Sequence, residues 1–212
     1  MALMTTKEML LKAQREGYAV GAFNAENMEM VQAVIEAAEE MKAPVIIQTT
    51  PGTLNYADPE MFYGMCAAAA QKASVPVALH LDHGNSFEMA ARALKAGYTS
   101  VMIDGSKEEF EANVTLSRRV AEMAHAMGIP VEGELGTVGG KEDNHEVKDS
   151  EKAYTDPEQA GEFAERTGVD SLAVGIGNAH GFYKGDPKLR FDILEETRKR
   201  VSIPIVLHGA SG

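Results

Sequence analysis

Four stretches of this chain repeat one design: an aliphatic residue, a proline, then a run rich in Val, Ile and Leu. They are Ala43–Thr50 (APVIIQTT), Val75–Asp82 (VPVALHLD), Ile129–Leu135 (IPVEGEL) and Ile203–His208 (IPIVLH). Proline is tolerated at the first residue of a strand, where its missing N–H breaks no ladder bond. Short, nearly continuous apolar runs suit strands buried on both faces, as in parallel sheets. Tyr18–Phe23, Thr99–Ile103 and Ser171–Ile176 read the same way, which makes seven strands.

Helical patterns lie between them. Residues 25–41 place apolar side chains near i, i+3, i+4 and i+7, with Glu29, Glu36, Glu39 and Glu40 on the other face. Residues 59–73, 86–96, 108–127, 156–167 and 192–201 are similar, and Ser86 and Asp156 suit N-caps. Strands alternating with helices mean βαβ units and a parallel sheet. A doubly wound sheet usually has a Gly-rich first turn, and Phe23-Asn24-Ala25-Glu26 has no glycine. The expectation is therefore a (β/α)8 TIM barrel, read as one domain over residues 1–212. With seven strands and four residues after His208, the eighth strand–helix unit is expected to be missing, leaving the barrel incomplete at its C-terminal end.

Charge narrows the function classes. The 212 residues carry 20 Lys+Arg against 32 Asp+Glu, a net charge of −12, with no basic run to hold nucleic-acid phosphates. No apolar stretch approaches the length that spans a bilayer. The first residues lack the pattern of a secretion signal. A single cysteine, Cys66, excludes an internal disulfide and cysteine-based zinc sites. These features point to a cytoplasmic enzyme with a small-molecule substrate.

The histidines are the most informative residues. Three of the six precede glycine, in His83-Gly84, His180-Gly181 and His208-Gly209, where average glycine usage gives about 0.6 such pairs by chance. All three fall at the C-terminal ends of expected strands, the rim where barrel active sites are built. Three imidazoles with an open fourth position suit a catalytic Zn2+. His125 in a helix and His145 in a polar loop default to the surface, while His80, two residues before Asp82, is placed to support that carboxylate. Asp82, Asp104, Glu132 and Glu134 cluster at the same strand ends, and buried carboxylates there need a partner. A salt-bridge network is the bland reading, but no Lys or Arg lies in an expected strand. That also leaves a Schiff-base mechanism without an interior lysine. Residues 136–154 (GTVGGKEDNHEVKDSEKAY) are polar and aperiodic, as expected of a lid or a solvated loop, with Gly139-Gly140 as a hinge.

The motifs HLDHG (80–84), VMIDGS (101–106), EGELGTVGGKED (132–143), GNAHGFYKG (177–185) and LHGASG (207–212) resemble those of the class II, zinc-dependent ketose-bisphosphate aldolases. The resemblance runs from about Thr5 to the last residue. TTPGT (49–53), AHG and HGAS lean slightly to the tagatose-bisphosphate branch over the fructose-bisphosphate branch. It implies reversible cleavage of a ketose 1,6-bisphosphate to dihydroxyacetone phosphate and glyceraldehyde 3-phosphate through a zinc-stabilised enediolate. It also implies His83, His180 and His208 as zinc ligands, Asp82 as the acid/base at the C4 hydroxyl, and Glu142 as the carboxylate exchanging a proton at the nucleophilic carbon. Asp104 and Glu134 match a second metal position. Gly181, Gly209, Ala210, Ser211 and Asn24 match substrate-binding positions, and backbone near Ala179–Gly181 and Gly209–Ser211 matches a Na+ or K+ site. A homodimer or homotetramer is implied too, with a non-catalytic partner subunit in some tagatose systems.

Two other readings stand beside this one. The chain could be a non-catalytic barrel subunit or inactive fragment of the family, against which Asp82, Glu142 and the three histidines together argue. It could be a metal-dependent hydrolase, which would usually carry a His-x-His pair on the first strand. That strand has no histidine.

Overall fold

A computed structural model describes residues 3–142, 145–147, 154–183 and 186–209. The chain forms two compact units, Met1–Ile103 with Glu122–Val131, and Asp104–Ala121 with Glu132–Gly212.

The first unit opens on a helix that the sequence reading did not anticipate, α1 (Thr6–Glu16). Its buried Met9 packs with Ile46 and Ala78, and Leu10 and Val20 close around them. Gly17 ends it in the left-handed conformation, and Tyr18 N–H still donates to Ala13 O at 3.1 Å. That cap consumes the start of the expected first strand, so β1 covers Gly21–Asn24 instead. The helix α2 (Met28–Met41) starts three residues later than expected because Asn27 caps it, its Oδ1 accepting from Met30 N–H at 2.9 Å. Then come β2 (Val45–Thr49), the short α3 (Pro51–Tyr56), α4 (Pro59–Lys72), β3 (Val77–Gly84), α5 (Phe87–Ala96) and β4 (Ser100–Ile103). Ser86 caps α5 as anticipated. Strands β1 to β4 pair in chain order, all parallel. Every residue of β3 is buried, which explains its nearly continuous apolar run VALHL.

The boundary between the units falls within α6 (Phe110–His125) and β5 (Val131–Leu135). The second unit continues through β6 (Gly139–Glu142), β7 (His145–Val147), α7 (Pro157–Thr167), β8 (Ser171–Val174), β9 (Ala179–His180), α8 (Phe191–Arg200) and β10 (Ile205–Val206). Asp156 caps α7, accepting from Glu158 N–H at 2.9 Å. Strand β8 pairs in parallel with β5 on one side and β10 on the other.

Within the segment 136–154, the described residues are not structureless as expected: β6 pairs antiparallel with β7 and parallel with β9, forming a separate three-stranded sheet. These strands are four, three and two residues long, too short for an apolar period to mark them. Lys141 therefore lies on a strand, although the parallel strands carry no Lys or Arg. Among the described residues no helix is long and apolar enough to cross a membrane.

Two local features yield tests. Cys66 on α4 is buried, and burial pushes its thiol up to about 12. Because the thiolate is the reactive form, iodoacetamide at pH 8 should leave Cys66 intact in the native protein and alkylate it readily in denaturant. Rapid native labelling would contradict the packing. Glycines give a paired test in thermal unfolding. A Cβ on Gly84 would collide with the Met102 carbonyl, whereas a Cβ on Gly64 in α4 meets nothing within 4 Å. Gly84→Ala should cost about 1–3 kcal/mol and lower Tm. Gly64→Ala should raise it, by about 0.5–1 kcal/mol of helix propensity.

Candidate active site

In the first unit, polar groups gather at the C-terminal ends of β1, β2 and β3. Parallel register sets Asn24 beside Gln48 and Gln48 beside His80. The Gln48 amide nitrogen then donates to Asn24 Oδ1 at 2.6 Å and to Asp82 Oδ2 at 2.8 Å. Asp82 is fully buried, and this amide supplies a hydrogen bond its carboxylate needs. The sequence reading missed Gln48. A polar residue at the fourth position of VIIQT, level with Asn24, is the signal that could have found it. His80 Nδ1 lies 2.8 Å from Ser100 Oγ, to which Thr6 Oγ1 donates at 2.9 Å.

The next residue, His83, is buried and has φ 45°, in the left-handed region that side chains other than glycine rarely enter. The β3–β4 register slips between Leu81 and Gly84. A bulge of this kind interrupts the regular alternation of side chains and re-aims them, here at Asp82 and His83. The His83 N–H points to Met102 Sδ at 3.3 Å. Gly84 is required by the Met102 carbonyl against it, so glycine here serves close approach, and the unusual φ belongs to the histidine.

In the second unit, His180 on β9 and His208 just after β10 are both buried. Their rings meet edge to face, with centroids 5.9 Å apart at 73°. His208 Nε2 lies 2.8 Å from Glu132 Oε1. Asn178, another residue the sequence reading passed over, accepts from Ile176 N–H at 2.9 Å and donates to the His208 carbonyl at 2.8 Å. It thereby ties the loop before His180 to the end of β10. The backbone beside His180 is crowded. Gly140 of β6 pairs with it, and a Cβ there would strike the His180 carbonyl. Gly209, with φ 77°, would likewise meet the Ala179 carbonyl. Gly140 thus allows the close approach of the two backbones. Gly181, also expected at the site, has φ 70°.

The carboxylates of this unit are placed by local structure. Asp104 Oδ1 accepts from Ser106 N–H at 3.0 Å in a side-chain turn. Glu134 is fully buried on β5, and Asn113 Nδ2 holds its carbonyl at 2.9 Å. Glu142 ends β6, its backbone paired with His145 of β7, on the sheet that also carries His180. Ala210 and Ser211 lie outside the described residues.

Comparison with known proteins agrees with the motifs. A family model described as fructose-bisphosphate aldolase class-II matches residues 4–212. A fructose-bisphosphate aldolase of Thermus caldophilus is 51% identical over 211 residues, 99% of this chain and 69% of that protein. The crystal structure of the YdjI aldolase from Escherichia coli K12 is similar with a TM-score of 0.87 and 44% identity, covering 99% of this chain and 74% of that one. A fructose-bisphosphate aldolase structure from Campylobacter jejuni gives 0.79 at 28% identity, over 100% and 71% of the two chains. The fold class is the TIM-barrel-like α/β type of these neighbours, and the chain belongs to the class II fructose-bisphosphate aldolases, a family of lyases.

Proposed function

We propose that this chain cleaves a ketose 1,6-bisphosphate between C3 and C4, releasing glyceraldehyde 3-phosphate and dihydroxyacetone phosphate. The names of the Thermus and Campylobacter relatives favour fructose 1,6-bisphosphate as the substrate. The observation that carries the reading is the pair of buried imidazoles of His180 and His208, one of them held by a carboxylate. Buried nitrogen donors backed by a carboxylate suit a zinc ion well. His83, His180 and His208 would hold it, and zinc bound there supplies Lewis-acid polarisation of the C2 carbonyl.

The remaining steps belong to the chain's own groups. Asp82, oriented by Gln48, takes the proton of the C4 hydroxyl as the C3–C4 bond breaks. The bond pair stays with C3, the aldehyde departs, and Glu142 returns a proton to C3. Condensation runs these transfers in reverse. Asp104 and Glu134 are proposed for a second metal position. Asn24, Gly181, Gly209, Ala210 and Ser211 are proposed to contact substrate, and the backbone at Ala179 and Gly209 to border a Na+ or K+ site.

Purified protein assayed with fructose and tagatose 1,6-bisphosphates should cleave the first more efficiently, with activity lost to a strong chelator and restored by zinc. Covalent substrate trapped by borohydride would sink the metal mechanism in favour of a Schiff base. Asp82→Ala should keep its zinc, read by elemental analysis, while turnover falls about 10²–10⁴-fold. Near-normal turnover would remove Asp82 from the proton transfer.

A further inference from the structure

Glu132 and His208 are 76 residues apart in sequence, yet their side chains meet at 2.8 Å in a buried setting. They stand on opposite sides of β8, since β5 and β10 both pair with that strand. Register puts Ser171 beside Glu132 and Ala173 beside Glu134. Ser171 and Ala173, the β8 residues at these positions, both carry small side chains.

The chemistry of the contact has one direction. An ionised carboxylate only accepts hydrogen bonds, so the imidazole nitrogen facing it carries the proton. In a neutral ring the proton is then on Nε2 and the lone pair on Nδ1. The His208 carbonyl is fixed independently by Asn178, so backbone and ring are held by different partners.

We propose that Glu132 is a positioning residue that locks His208 in its Nε2–H tautomer, presenting Nδ1 as the metal-binding atom. This rests on the reading of His208 as a zinc ligand. Histidine ligands commonly donate their other N–H to a carboxylate, which fixes ring orientation and raises ligand basicity. Loss of such a partner typically lowers metal affinity about 10–100-fold.

The test has two readouts. Long-range 15N–1H correlation spectra of the metal-stripped protein, at a pH where the ring is neutral, should show His208 as Nε2–H. Glu132→Leu should convert this to a tautomer mixture. Glu132→Gln, whose amide oxygen still accepts, should fall between and covers the case in which the leucine variant does not fold. Zinc affinity, measured against a chromophoric chelator, should fall about 10–100-fold in Glu132→Leu and less in Glu132→Gln. Asn178→Ala should leave the tautomer unchanged. A wild-type Nδ1–H signal would overturn the proposal. So would a loss of zinc affinity without a tautomer change, because Glu132 would then be a ligand itself. If the wild-type protein fails to bind zinc, the aldolase reading falls while the tautomer result still judges the Glu132 contact.

Discussion

A parallel strand buried on both faces has almost nowhere to keep a polar side chain except its end. In β3 this constraint is visible in one stretch of sequence. Val77, Ala78, Leu79 and Leu81 fill the interior, His80 in mid-strand is met by Ser100 Oγ, and the ionisable Asp82 and His83 come where the strand runs out. The same rule places Asn24 last in β1, Gln48 next to last in β2, and His208 beyond β10. Polar groups concentrated at strand ends must satisfy one another, because water is scarce there and an unpaired buried carboxylate is costly. Gln48 answers Asp82 and His208 answers Glu132. The site's hydrogen bonds are therefore a consequence of the sheet as much as of the chemistry.

Backbone crowding is the second theme. Gly84, Gly140 and Gly209 each sit where a Cβ would strike a carbonyl, of Met102, His180 and Ala179 respectively. Two of those carbonyls belong to His180 or to its neighbour in sequence. The loop carrying His180 is thus gripped by main chain on two sides, and Asn178 adds a third tie. A side chain borne on a two-residue strand such as β9 would otherwise have little to fix it. Close packing of glycine backbone supplies the rigidity that strand length does not, and a functional group must be held to a fraction of an ångström to act.

The parallel strands and their helices were legible because their signals are long and periodic. Proline-led apolar runs marked β2, β3, β5 and β10, and Ser86 and Asp156 capped their helices as expected. The short elements were not legible. Strands β6, β7 and β9 rest on backbone pairing in a polar segment, and α3 spans six residues. The His-Gly pairs drew attention to the right residues for a partly different reason. Glycine after His180 and His208 does adopt positive φ, but after His83 the histidine itself takes that conformation. No residue type announces a left-handed histidine, because the bulge against β4 imposes it.

Partners across the sheet were the least legible of all. Gln48 and Asn178 look unremarkable in sequence, and the meaning of Glu132 depends on a histidine 76 positions away. Such pairings follow from strand order and register, which a single sequence states only indirectly. Strand order brings β5 and β10 to the two sides of β8, and a carboxylate on one neighbouring strand thereby meets an imidazole just beyond the other.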